Sequence, residues 1–172
     1  MKKILIIRSA NMVVVDKLID YILKKYNNQI CKLYILIQKG SSKAFNKKYP
    51  NILCIEKEDR FFSYNLFKKN LRLRNQLSKL KFDEVYIPSS YSNFDGFSET
   101  FMIANYIRSE NYILFNSLEE IQNIKLNKFK ILIQKYLEYI IYTEKVIGAL
   151  ILIGICYIIY YPYCKLKNML FK

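Results

Sequence analysis

KKILIIRSANMVVVDKLIDYILKKY, residues 2–26, contains one full repeat of an α/β fold: a strand, a polar loop and a helix. Residues 3–7, Lys3 followed by four consecutive apolar residues, read as a strand closed by Arg8 and Ser9. A strand without polar alternation is one buried on both faces. From Val13 to Tyr26 the period changes. Val14, Leu18 and Ile22, flanked by Val15, Ile19 and Leu23, make an apolar stripe at helical spacing, with Asp16, Lys17, Asp20 and Lys24 opposite.

The alternation continues along the chain. Residues 32–38 (KLYILIQ), 51–56 (NILCIE), 84–88 (EVYIP) and 111–116 (NYILFN) read as four further strands. Residues 64–80 return to helix period through Leu66, Leu73, Leu77 and Leu80, and residues 94–108 do so through Phe97, Phe101, Ala104 and Ile107. Fully apolar strands alternating with helices predict a parallel sheet covered on both faces. With right-handed crossovers this is a Rossmann-like sheet of about five strands over residues 1–124.

The rest of the chain is of another kind. Residues 125–145 read as an amphipathic helix, with Phe129, Ile133, Tyr136, Leu137 and Ile140 on one broad face. That face is expected to pack on the domain or to lie at a membrane interface. Residues 146–164, VIGALILIGICYIIYYPYC, are nineteen positions without a charge. As a helix they span roughly 28 Å, close to the hydrocarbon core of a bilayer. A single C-terminal anchor at the cell membrane follows, either spanning or re-entering at Pro162, with 165–172 as a short basic tail. The N-terminal apolar run is too short for a signal sequence. The soluble domain is therefore expected in the cytoplasm, and five Lys between Lys125 and Lys145 against three in the tail agree with that orientation.

Composition excludes some chemistry. The chain has no His and its four Cys show no CxxC spacing, so His-dependent catalysis, a zinc site and any other metal centre have no support. Neither GxGxxG nor GxxxxGK[ST] occurs, which removes the usual dinucleotide and P-loop readings and implies no cofactor. The net charge of +14 points to an anionic partner, although codon bias towards Lys, Asn, Ile and Tyr inflates it. Between Arg60 and Lys81 there are seven basic residues and no acidic one. Nucleic acid is the weaker reading because no recognition motif accompanies these charges. Lys68, Lys69, Arg72 and Lys79 are instead expected to face membrane lipid, where each cation contributes about 1 kcal/mol.

In an open parallel sheet, ligands sit beyond the carboxyl ends of the strands. Asn11, Ser89, Ser90, Asn93 and Asn116 fall there and are candidate substrate-binding residues, with Asp95 a candidate base. Ser, Asn and Asp after a strand also serve simply as caps and turn formers. Asp16 and Asp20 read as surface charges, and Glu56, Glu58 and Asp59 with Arg60 as a solvated loop.

The opening KKILIIR, the helix after it, Tyr49-Pro50-Asn51 leading into a strand, and Lys81-Phe82-Asp83-Glu84-Val85-Tyr86-Ile87 together resemble the N-terminal half of heptosyltransferase-like (family 9) GT-B glycosyltransferases, over roughly residues 2–117. The family's Ser-x-Gly-Asp loop after the first strand is replaced here by Ser9-Ala10-Asn11-Met12. An apolar helix stands where a second, donor-binding domain would follow. A half GT-B with an anchor also looks like the membrane subunit of split glycosyltransferases. The resemblance implies a glycosyltransferase-related protein of cell-surface polysaccharide or glycolipid synthesis. Its partners would be a lipid-linked sugar acceptor and a donor-binding glycosyltransferase subunit. The alternative is a non-catalytic, membrane-tethered interaction domain.

Overall fold

The computed structural model describes residues 1–26, 31–57 and 62–170, the side chains of 159 and 162–170 excepted. The expected loop residues Glu58, Asp59 and Arg60, the Cys164 side chain and the side chains of the basic tail lie outside the described residues. The chain divides into two units, residues 1–132 and 133–172.

The first repeat folds as read. β1 (Lys2–Ile7) leads into α1 (Met12–Tyr26), and the buried side chains of α1 are Val14, Val15, Leu18, Ile19 and Ile22. β2 (Cys31–Gln38), α2 (Ser42–Lys48), β3 (Leu53–Lys57), α3 (Tyr64–Lys69), α4 (Leu71–Leu80), β4 (Phe82–Pro88), α5 (Ser98–Ile107), β5 (Ser109–Phe115), β6 (Ile121–Ile124) and α6 (Lys128–Leu170) follow.

The sheet has the order β3-β2-β1-β4-β5-β6. The first five strands are parallel and β6 is antiparallel to β5, which makes the domain Rossmann-like with one reversed edge strand. Because successive side chains in a strand point to opposite faces, β1 supplies both cores. Ile4 and Ile6 join α1, α2, Tyr86 and Phe115 on one face, whereas Leu5 and Ile7 join Phe67, Leu73, Leu77, Phe101 and Ile107 on the other. All four β1 residues are fully buried. At about 1.5–3 kcal/mol for each such side chain, the four together contribute on the order of 6–12 kcal/mol, shared between the two cores.

Four local expectations are corrected. The single helix over 64–80 is two helices, broken at Asn70, whose side-chain oxygen accepts from the Leu73 N–H at 3.0 Å and starts α4. The helix expected from Phe94 starts at Ser98, because Gly96 turns the chain at φ +78. Asp16 is not a plain surface charge: it accepts from the Lys48 ammonium at 2.6 Å and from the Tyr49 hydroxyl at 2.7 Å, pinning the end of α2 to α1. Glu56 belongs to β3 rather than to a loop.

α6 includes Pro162 without a break. Over Lys128–Ile158 it has a mean hydropathy of 1.8, long and apolar enough to cross a membrane. Ile131 alone in its first turns is buried, against the α4–α5 face of the sheet. Phe129, Ile133, Tyr136, Leu137 and Ile140, the expected apolar face, are all exposed.

Candidate functional site

The sheet reverses its winding between β1 and β4, the switch point beyond whose carboxyl ends the general rule for open parallel sheets places a ligand crevice. Helix α1 opens directly after the β1 loop, and Asn11 is its cap, accepting from the Val14 N–H at 3.1 Å. The loops leaving β1 and β4 are tied together. The Ser9 hydroxyl donates to the Pro88 carbonyl at 2.7 Å, and the Asn11 N–H donates to the Ser90 hydroxyl oxygen at 2.8 Å.

The remaining carboxyl-edge candidates are engaged in the same way. Ser89 is fully buried; its hydroxyl donates to the Asn93 carbonyl at 2.7 Å and accepts from the Tyr91 N–H at 3.1 Å. Asn116, 3% exposed, accepts from the Leu118 and Glu120 N–H groups and donates to the Ser92 carbonyl and the Glu120 carboxylate. Asn93 donates to the Asp95 carboxylate at 2.6 Å in an exposed turn. The structure thus joins Asn11 to Ser90, and Ser89 through Asn93 to Asp95. Ser89 and Asn116 have their hydrogen-bonding capacity occupied by the loops they shape. Toward a ligand this leaves the Asn11 amide N–H₂, the Ser90 hydroxyl proton and the exposed Asp95 carboxylate.

Beside the crevice, α1, α2 and the β2 turn enclose a cavity of about 480 Å³ lined by Arg8, Met12, Asp16, Gly40, Phe45 and Lys48. Gly40, at φ +84, makes this turn in a conformation that side-chain-bearing residues rarely take. The Asp16 contacts hold the Lys48 ammonium above its ordinary range, chiefly through their hydrogen bond; burial, then Asp16, raises the Tyr49 hydroxyl.

A second cavity, about 490 Å³, opens across the exposed edge of β3. Lys39, Ser42 and Asn46 line one side, Asn70, Arg72 and Gln76 the other. Between them Glu56 accepts from the Ser42 hydroxyl and from the Gly40 N–H at 3.3 Å, the first of which chiefly keeps its carboxyl below the usual range. The cavity brings the Gly40 turn and the basic helix together. Lys39 and Arg72 lie thirty-three residues apart on different elements, and nothing in the sequence shows that they share a pocket; Lys48 and Asp16, thirty-two residues apart, gave no signal. The basic side chains Lys68, Lys69, Arg72 and Lys79 are exposed and have no ion-pair partner among the described residues.

No group of three or more His, Cys, Asp or Glu suited to a metal ion occurs among the described residues. Cys31, Cys54 and Cys156 are free thiols. Cys54 donates to the Asn46 side-chain oxygen at 2.9 Å, and burial raises both Cys31 and Cys54, which leaves them poor nucleophiles. Compared with protein-family models, with curated proteins and with solved structures, the chain matches none.

Proposed function

We propose that this protein is a membrane-anchored, glycosyltransferase-related domain that acts in cell-surface polysaccharide or glycolipid synthesis and relies on a donor-binding partner. The observation that carries the reading is the order of the chain. A doubly wound sheet with a polar carboxyl edge passes, after one short antiparallel strand, into an exposed apolar helix. In this reading α6 is a membrane anchor, the domain faces the cytoplasm, and Lys68, Lys69, Arg72 and Lys79 lie toward anionic lipid. The lipid-linked acceptor is taken at the carboxyl edge, beside Asn11, Ser90, Asn93 and Asp95. Asp95 is the candidate base.

The second reading, a non-catalytic tethered interaction domain, is favoured by one finding: Ser89, Asn116 and the Asn11 side-chain oxygen are consumed by caps and turns. The two separate on variants that spare the fold. Asp95→Asn, Ser90→Ala and Asn93→Ala touch exposed or half-exposed side chains, whereas Ser89→Ala would confound folding with function. The purified protein, alone and mixed with glycosyltransferases encoded nearby, is assayed for binding of lipid-linked sugar and nucleotide-sugar and for sugar transfer. The glycosyltransferase reading expects binding or transfer that these variants diminish. No binding in any mixture would leave the interaction domain.

A further inference from the structure

The largest concentration of unneutralised charge around a cavity is not at the carboxyl edge. At the opposite, amino-terminal edge of the sheet, the ends of α4 and α5 and the start of α6 surround a cavity of about 550 Å³. Lys81, Arg108 and Lys128 line it, from three different elements, and no Asp or Glu does. None of the three has an ion-pair or hydrogen-bond partner for its side chain among the described residues. The rest of the lining is Met102 and Ile107, both buried in the core, the half-buried Tyr64 and Tyr106, and the polar Ser78 and Asn105.

Helix ends account for part of this arrangement and not for all of it. Lys81 and Arg108 follow the last residues of α4 and α5, where a cation is favoured by the helix dipole. Both, however, hold φ values of +46 and +54, a region where Gly or Asn is the usual occupant. Lys128 stands at the beginning of α6, where the same dipole disfavours a cation and where the first turn carries no acid. Three mutually repelling cations around one cavity are stabilised by an anion between them. A phosphate group suits the charge, and the half-buried Tyr64 and Tyr106 rings suit an apolar chain attached to it.

We propose that this cavity binds a phosphate headgroup carried on a lipid, at the root of the helix that anchors the protein. The lipid source rests on the membrane reading given above; the phosphate site does not. Full-length protein in detergent is titrated with dihexanoyl phosphatidate, dihexanoyl phosphatidylcholine and inorganic phosphate. Membrane integration is measured separately by alkaline-carbonate extraction. The variants are Lys81→Gly, Arg108→Gly and Lys128→Gln, with Lys68→Gln as a control outside the cavity. Glycine relieves the backbone strain at 81 and 108, so those two variants are expected to melt at or above the parent temperature. They are nevertheless expected to bind phosphatidate about tenfold more weakly each, or about 1.4 kcal/mol, as is Lys128→Gln, with the control unchanged. Phosphatidate binding tighter than both other probes supports the lipid source. Equal binding of inorganic phosphate keeps the site and overturns the lipid source. Unchanged phosphatidate affinity in well-folded glycine variants, or no phosphate binding by the parent, overturns the site itself. Release of the protein from membranes by carbonate, with phosphate binding retained, would refute the anchor alone.

Discussion

Replacing Glu84 should cost this domain about 3 kcal/mol, and the structure shows where the cost arises. Glu84 is 5% exposed in β4 and accepts from the hydroxyls of Tyr26 and, at 3.0 Å, of fully buried Tyr86. Lys2 and Lys25 stand 3.6 and 3.7 Å away, but their side chains are 48% and 35% exposed. Pairs with such solvated lysines contribute only about 0.5 kcal/mol each. The hydroxyls matter more. In Glu84→Ala the Tyr86 O–H, sealed in the core, loses its acceptor, a penalty of about 1–3 kcal/mol. Lost packing of the Glu stem adds about 1 kcal/mol, whereas half-buried Tyr26 can turn to water. Glu84→Gln keeps an acceptor oxygen and should cost about half as much. Urea unfolding of the full chain in detergent, followed by near-ultraviolet circular dichroism, measures both; with sixteen Tyr and no Trp the signal is a tyrosine signal. A loss below about 1 kcal/mol for Glu84→Ala, or equal losses for Ala and Gln, would refute the assignment of the cost to the orphaned hydroxyl.

The same cluster sets an alkaline limit. Burial first and Glu84 second push the Tyr26 and Tyr86 hydroxyls well above the ordinary tyrosine range. Their contribution is therefore complete below the unfolded-state value near 10 and is lost as pH rises above it, by up to about 1.4 kcal/mol per pH unit for each tyrosine. Stability measured from pH 8 to 11 should be flat and then fall, and a decline starting well below pH 9 would contradict this. Asn11→Ala should cost about 1 kcal/mol through the lost α1 cap, with Asn11→Ser recovering most of it; equal stability of the two would show that the cap contributes nothing. Asn116→Ala, which orphans two N–H groups in the β5–β6 turn, should cost about 2 kcal/mol by the same assay. Cys31 and Cys54 should react with a thiol reagent at pH 7.5 more slowly than a free cysteine, and faster labelling of either would contradict their raised thiol values.

The strands most easily read from the sequence are those whose physics is simplest. Residues 4–7 and 33–37 are apolar without interruption because both faces of the sheet are covered, and runs this short are too brief to cross a bilayer. β6 escaped because IQNI has no such run: it is an exposed edge strand held by backbone pairing to β5. α2 escaped because seven residues with the single buried side chain Phe45 carry no period. At the carboxyl edge the polar loops were legible, but not the direction of their side chains. Ser89 and Ser90 are neighbours of the same type, yet one is sealed inside its own turn and the other is half-exposed. Lys81, Arg108 and Lys128 were illegible as a group, since they meet only where the ends of α4 and α5 and the start of α6 come together at one cavity.

The reversal at β6 also has a mechanical side. Any pull transmitted along α6 enters the domain first at Ile131 and then at a four-residue antiparallel edge strand. β6, four residues long and paired on one side only, is thus the first ladder that such tension meets, with β5 and β4 between it and β1.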